Sequence, residues 1–126
     1  MADRFHVLLK EGGLAQVKAT IAARPELLAE LLPIVANPEA SINVRVGAGV
    51  VFENHAGADA LRALVPQLGA LSAHADARVR ADACHYLGLA GDAAARAFLA
   101  LRLDDGNADV REIAADGLEA LPAVWP

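Results

Sequence analysis

The chain has 126 residues and a formal net charge of −5, with 56% hydrophobic and 4% aromatic residues. This length fits one domain with its own core, and the acidic balance disfavours a general nucleic-acid binder, which needs a surplus of lysine and arginine. The sequence has no apolar run long enough to span a bilayer, no signal-peptide pattern and a single cysteine, Cys84, which excludes an intrachain disulfide. We therefore expect a soluble, cytoplasmic protein.

Abundant alanine with few aromatic residues favours closely packed helices. The first predicted elements are two short helices within residues 1–24, separated by Gly12-Gly13. These residues do not match the pattern that follows, so we expect them to cap one end of a helical stack.

Three later segments align without gaps: Ser41–Phe52, Asp76–Leu87 and Asn107–Leu118. Each begins with a residue type that caps helix N-termini, followed three residues on by a Val-Arg pair. An alanine and then a large apolar residue follow at steps of four, which places them on one buried face. The three pairs, at intervals of 35 and 31 residues, are Val44-Arg45, Val79-Arg80 and Val110-Arg111.

A second apolar pattern precedes each of these segments and predicts helices over Pro25–Ala36, Asp59–Ala73 and Asp92–Leu103. Pro33 and Pro66 fall inside the first two, where we expect kinks. Each interval thus holds two helices and two turns, as in stacked helical hairpins.

The run Asp76–Asp92 resembles the second helix of a HEAT repeat, particularly the short form of phycobilin-lyase-like proteins. The resemblance covers about residues 25–121. It implies an all-α fold, a right-handed α-solenoid of about three HEAT-like helical hairpins with an N-terminal capping helix pair. Residues 1–126 then form one domain, with a cap at 1–24, repeats at 25–57, 58–90 and 91–121, and a tail at 122–126 in which Trp125 covers the last helix.

In HEAT proteins the second helix of each repeat usually lines the concave face. Projected onto this sequence, the resemblance implies a binding surface that mixes apolar, acidic and aromatic groups, which suits a protein or peptide partner. Its predicted members are Val50, Val51, Asn54, Asp82, His85, Tyr86, Leu89, Ile113 and Asp116. The alternative for Val50, Val51 and Ile113 is burial against neighbouring helices.

The motif arginines Arg45, Arg80 and Arg111 have two interpretations. They could form a basic ladder on the surface. The resemblance instead implies a structural role, in which each pairs with an acidic or carbonyl group of a neighbouring turn and links repeats. Candidate acidic partners are Asp76, Asp105 and Asp109.

We expect no metal, cofactor or catalytic residue. Cys84 and His85 are adjacent on a predicted helix and point about 100° apart, so they are poorly placed to share a metal or to form a catalytic dyad. The sequence also contains no Cys-x-x-Cys or His-x-x-x-His spacing and no phosphate-binding glycine loop.

The leading hypothesis is a non-enzymatic scaffold that binds a protein partner along the concave face. A phycobilin-lyase-like enzyme or chaperone acting on a tetrapyrrole protein is the alternative, and it rests on fold analogy. Nucleic-acid binding is disfavoured by Asp82 and Asp116 on the predicted surface, and a membrane partner is not expected. Self-association through the open repeat ends is a further possibility.

Overall fold

A computed structural model describes residues 4–122, and these residues form helices joined by turns, with no strand among them. The all-α prediction is therefore confirmed. None of the helices in this part of the chain combines the length and apolarity that a bilayer crossing requires. The α-helices are α1 (Arg4–Lys10), α2 (Leu14–Ala23), α3 (Leu32–Val35), α4 (Ile42–Asn54), α5 (Asp59–Arg62), α6 (Val65–Leu71), α7 (Ala77–Leu89), α8 (Arg96–Leu101) and α9 (Ala108–Ala120), and 3₁₀ segments lie at Pro25–Leu31 and Ala93–Ala95.

Helices α4, α7 and α9 have 13 residues each and correspond to the three aligned segments. The side chain of Asp76 accepts a hydrogen bond from the Arg78 amide, and that of Asn107 accepts from the Val110 amide, so both cap their helices. Ser41 differs, because its hydroxyl donates to Oδ1 of Asn43 and does not accept from the backbone.

The helices predicted before them are broken rather than kinked. Pro33 lies in the first turn of α3 and Pro66 in the first turn of α6, where the missing amide proton costs no hydrogen bond. Each proline therefore starts a new helix after a 3₁₀ segment or a turn. The third such element is also divided, since Ala93–Ala95 forms a 3₁₀ turn ahead of α8 without a proline.

At the N-terminal end, α1 and α2 occupy the region predicted to form a cap. Gly12, with φ of 84°, makes the turn between them. Phe5 and Leu9 of α1 are buried, and Leu9 lies against Gly47 of α4. At the other end Leu121 is buried. The predicted role of Trp125 falls outside the described residues.

The core runs between the helices as one buried cluster, but the three long helices are not evenly spaced. Helix α7 packs along α9 over much of its length, whereas α4 and α7 approach each other at few points. A Cβ atom added to Gly88 of α7 would lie 2.9 Å from Cα of Gly117 on α9, so these backbones nearly touch. The positions equivalent to this glycine pair, counted from the motif valines, are Glu53 on α4 and Tyr86 on α7. Larger residues therefore replace both glycines at this level, and the Tyr86 ring packs against Phe52 of α4.

We predict that Gly88→Ala lowers the free energy of unfolding by about 1–2 kcal/mol. The added methyl group overpacks the contact with Gly117, which outweighs the gain in helix propensity. Gly106→Ala is the control, because a Cβ at Gly106 meets nothing within 4 Å. Urea unfolding of both variants measures the difference, and a Gly88→Ala protein as stable as the control would contradict the close contact.

Candidate functional site: a groove across α4, α7 and α9

The residues predicted to form the binding surface differ in their exposure to solvent. Asn54, His85 and Asp116 are exposed, and the half-buried members are Val50, Asp82, Leu89 and Ile113. Val51 is fully buried. It points into the core beside Phe52, so the prediction that it contacts a partner is corrected. Tyr86 is also largely buried, at 5% exposure, but it lines a groove.

This groove is an open depression of about 360 Å³ between α4 and α7. It is bordered by two strongly exposed apolar side chains of α4, Ile42 at 78% and Val46 at 60% exposure. Together with Val50 they follow the four-residue spacing that aligns side chains along one helix face. The other lining residues are Arg45, Gly49, Glu53, Asp82, His85 and Tyr86.

Sequence reasoning missed Ile42 and Val46. The signal was present, because the chain has apolar residues at 42, 46 and 50 as well as at the core positions 44, 48, 51 and 52. A helix with apolar residues around most of its circumference normally lies inside a core. Here one side of α4 has no covering element among residues 4–122, and this leaves an apolar stripe in solvent.

Tyr86 forms the floor of the groove. Its ring stacks on Phe52, with 4.3 Å between centroids, and its hydroxyl lies close to Gly49, where an added Cβ would be 3.0 Å away. Burial raises the pKa of this hydroxyl, so it stays protonated. No hydrogen bond joins this hydroxyl to another group in residues 4–122, and the oxygen is not a fully buried atom, so it faces the open groove. The groove therefore offers a neutral donor at its base.

Two polar pairs cross the groove between α4 and α7. Nη2 of Arg45 lies 2.8 Å from Oδ2 of Asp82. The Arg45 side chain is about three-quarters buried and the Asp82 side chain about two-thirds buried. Nε2 of His85 lies 3.3 Å from Oε2 of Glu53, in a more exposed position. The Arg45–Asp82 pair neutralises the centre of the surface and ties the two helices together.

A second depression of about 380 Å³ lies between α7 and α9 and shares Arg45 and Asp82 with the first. The two depressions therefore form one continuous surface across the three long helices, which we call the α4/α7/α9 groove. The remaining residues of the second depression are Arg78, Ala81, Asp109, Glu112, Ile113 and Asp116.

The other two motif arginines lie away from this groove and make structural contacts. Arg80 binds the Asp105 carboxylate with Nε and Nη2, at 2.8 and 3.0 Å, and donates from Nη1 to the carbonyl oxygens of His74 and Ala75. Arg111 donates to the backbone oxygen of Asp105 at 2.7 Å. Asp105 has only 3% of its side chain exposed. These three residues, Arg80, Asp105 and Arg111, form what we call the Asp105 cluster, which links the turn before α9 to α7.

The three arginines therefore differ in their partners. Arg80 and Arg111 each bind the backbone oxygen two residues before the cap of their own helix, while Arg45 reaches Asp82 on the next helix. Of the three candidate acidic partners, Asp105 is used by Arg80. Asp76 instead pairs with Arg78, and Asp109 forms no ion pair among the described residues.

Cys84 is fully buried, and burial raises the pKa of its thiol to about 11. A protonated, inaccessible thiol is a poor nucleophile and a poor metal ligand. In residues 4–122 no three side chains of the His, Cys, Asp and Glu types gather as a metal site would require.

Comparison of the chain with family models, with curated proteins and with solved structures finds no match.

We predict that Tyr86→Phe changes the free energy of unfolding by less than about 0.5 kcal/mol, because removing a hydroxyl without a partner costs little. Tyr86→Ala is the contrasting variant and loses about 3–5 kcal/mol through the cavity beside Phe52. Urea unfolding checks both values. A loss above about 1 kcal/mol in Tyr86→Phe would show that the folded chain satisfies the hydroxyl.

We predict that Arg80→Ala destabilises the fold by about 3 kcal/mol at neutral pH, because it strips the buried Asp105 carboxylate of its main partner. Arg78→Ala is the matched control, since Arg78 forms an exposed pair on the same helix and its loss costs less than about 0.5 kcal/mol. Equal losses in the two variants would contradict the role assigned to the Asp105 cluster.

The Asp105 cluster also predicts a dependence on pH. Hydrogen bonds from Arg80 lower the pKa of Asp105 in the folded chain. Its ionised form therefore stabilises the fold at neutral pH, and this stabilisation is lost as the pH falls below about 4, the ordinary range of an aspartate. The stability gap between wild type and Arg80→Ala should narrow in unfolding curves at acid pH, and a constant gap would count against the ion pair.

Proposed function

We propose that this chain is a non-enzymatic protein-interaction module that binds a partner in the α4/α7/α9 groove. The observation that carries the proposal is the pair of exposed apolar side chains, Ile42 and Val46, beside an open depression. Exposed apolar groups next to a concave surface with polar groups at its base are typical of sites that are covered by a partner.

We further infer that the helices form HEAT-like repeats in a right-handed α-solenoid. The support is that each long helix pairs with the divided element before it and also contacts the next long helix. The repeat resemblance supplies the handedness and the family. In such a stack the long helices would share one face, which is where the groove lies.

The alternative activity, similar to that of the phycobilin lyases, rests on the repeat resemblance alone and stays a prediction. Absorbance titration with a free bilin tests it, and a spectral shift on mixing would support it.

We predict that the double variant Ile42→Ser/Val46→Ser loses the partner while keeping its helical circular-dichroism spectrum, because both side chains are exposed. Leu101→Ser/Leu103→Ser is the matched control, since these leucines are also exposed, at 67% and 41%, and lie outside the groove. Affinity capture from the cells of origin, read by quantitative mass spectrometry, should recover the same partner protein with the wild type and with the control. The recovered amount of that partner should be at least about tenfold lower with the groove variant. Equal recovery with all three proteins would refute the groove as the binding site.

A further inference from the structure

The α4/α7/α9 groove is chemically uneven from one side to the other. Its α4 side carries the apolar stripe of Ile42, Val46 and Val50. Its α9 side carries Asp109, Glu112 and Asp116, which all line the second depression. Residues three and seven positions apart share one helix face, so these carboxylates point the same way.

The carboxylates on α9 have no cation of their own among residues 4–122, because none of them forms an ion pair or accepts a side-chain hydrogen bond there. The two arginines of the groove are already engaged. Arg45 pairs with Asp82, and Arg78 holds the Asp76 carboxylate at 3.0 Å. The α9 side therefore presents uncompensated negative charge.

The first depression adds the Tyr86 hydroxyl, which belongs to a residue with 5% exposure and makes no hydrogen bond among the described residues. The hydroxyl lies beside Gly49. This observation is independent of the charges on α9, and a side-chain carbonyl of the occupant, such as that of glutamine, can accept from the hydroxyl.

A short helical segment can bridge the two sides of the groove. Packed helix axes typically lie about 8–10 Å apart, so a segment that crosses α7 from α4 to α9 covers on the order of 20 Å. A helix rises 1.5 Å per residue, and about 14 residues therefore span this distance.

We propose that the occupant is a helical segment of another protein whose apolar side chains meet the α4 stripe and whose lysine or arginine side chains meet the α9 carboxylates. The charge pattern of the groove selects a basic segment over an acidic one, since like charges across an interface are strongly disfavoured. This inference rests on the proposed function and adds the chemistry of the partner.

The probe is a synthetic helical peptide of about 14 residues. It carries leucines on one face of its first half, a glutamine at its centre that can accept from Tyr86, and lysines on the same face of its second half. Two companion peptides replace the lysines by glutamine or by glutamate. Fluorescence anisotropy measures Kd for each at low and high salt. We expect the lysine peptide to bind about tenfold more tightly than the glutamine peptide, with an advantage that shrinks at high salt, and the glutamate peptide to bind most weakly.

The matched variants carry the same change in net charge. Asp109→Asn/Glu112→Gln/Asp116→Asn should weaken the lysine peptide about tenfold and leave the glutamine peptide unchanged. Glu26→Gln/Asp59→Asn/Asp104→Asn removes three exposed carboxylates outside the groove and should change neither Kd.

The outcomes separate this inference from the proposed function. If all three peptides bind equally and Ile42→Ser/Val46→Ser abolishes binding, the groove is a binding site but the basic partner is wrong. If no peptide binds, or if binding survives the serine variant, both proposals fail. If sedimentation shows a dimer of the protein alone that the serine variant disperses, the occupant is a second copy and the basic segment is excluded.

Discussion

The contact between Gly88 and Gly117 sets the architecture of the candidate site, because it lets α7 and α9 approach until their backbones nearly touch. At the equivalent level between α4 and α7 the glycines are replaced by Glu53 and Tyr86, and the Tyr86 ring packs against Phe52 of α4. The same repeat therefore packs closely on one side of α7 and more loosely on the other, and the α4/α7/α9 groove runs over both contacts. Close-packed interiors respond to single side chains in this manner.

Polar contacts hold the groove in shape. The Arg45–Asp82 pair joins α4 to α7 across the opening, and the Asp105 cluster fixes the turn that leads into α9. Both depend on the Val-Arg motif, but the arginines act differently because their surroundings differ. Arg80 binds a buried carboxylate and two carbonyl oxygens, whereas Arg45 binds Asp82 on the next long helix. A groove held by such contacts presents its side chains without first ordering them, which reduces the cost of binding.

Much of the helical content followed from the sequence, since the caps Asp76 and Asn107 and the four-residue spacing of core side chains are local signals. The groove could not be predicted from these local signals. Val51 and Val50 are neighbours in sequence, but one is fully buried and the other borders the groove, because a difference of 100° around α4 decides between core and solvent. The exposure of Ile42 and Val46 depends on which elements cover α4, and the unequal helix spacing depends on pairs of residues 29 and 33 positions apart, Gly88 with Gly117 and Glu53 with Tyr86. Neither can be read from a single repeat.

Nuclear Overhauser effects between protons of neighbouring long helices test this account most directly. Unequal spacing predicts a strong cross-peak between the Hα protons of Gly88 and Gly117, and cross-peaks from the Tyr86 ring to Phe52 and Gly49, with none between the backbones of α4 and α7 at Glu53 and Tyr86. Absence of the glycine cross-peak, or direct backbone contact between α4 and α7 at that level, would contradict the unequal helix spacing on which this description of the groove depends.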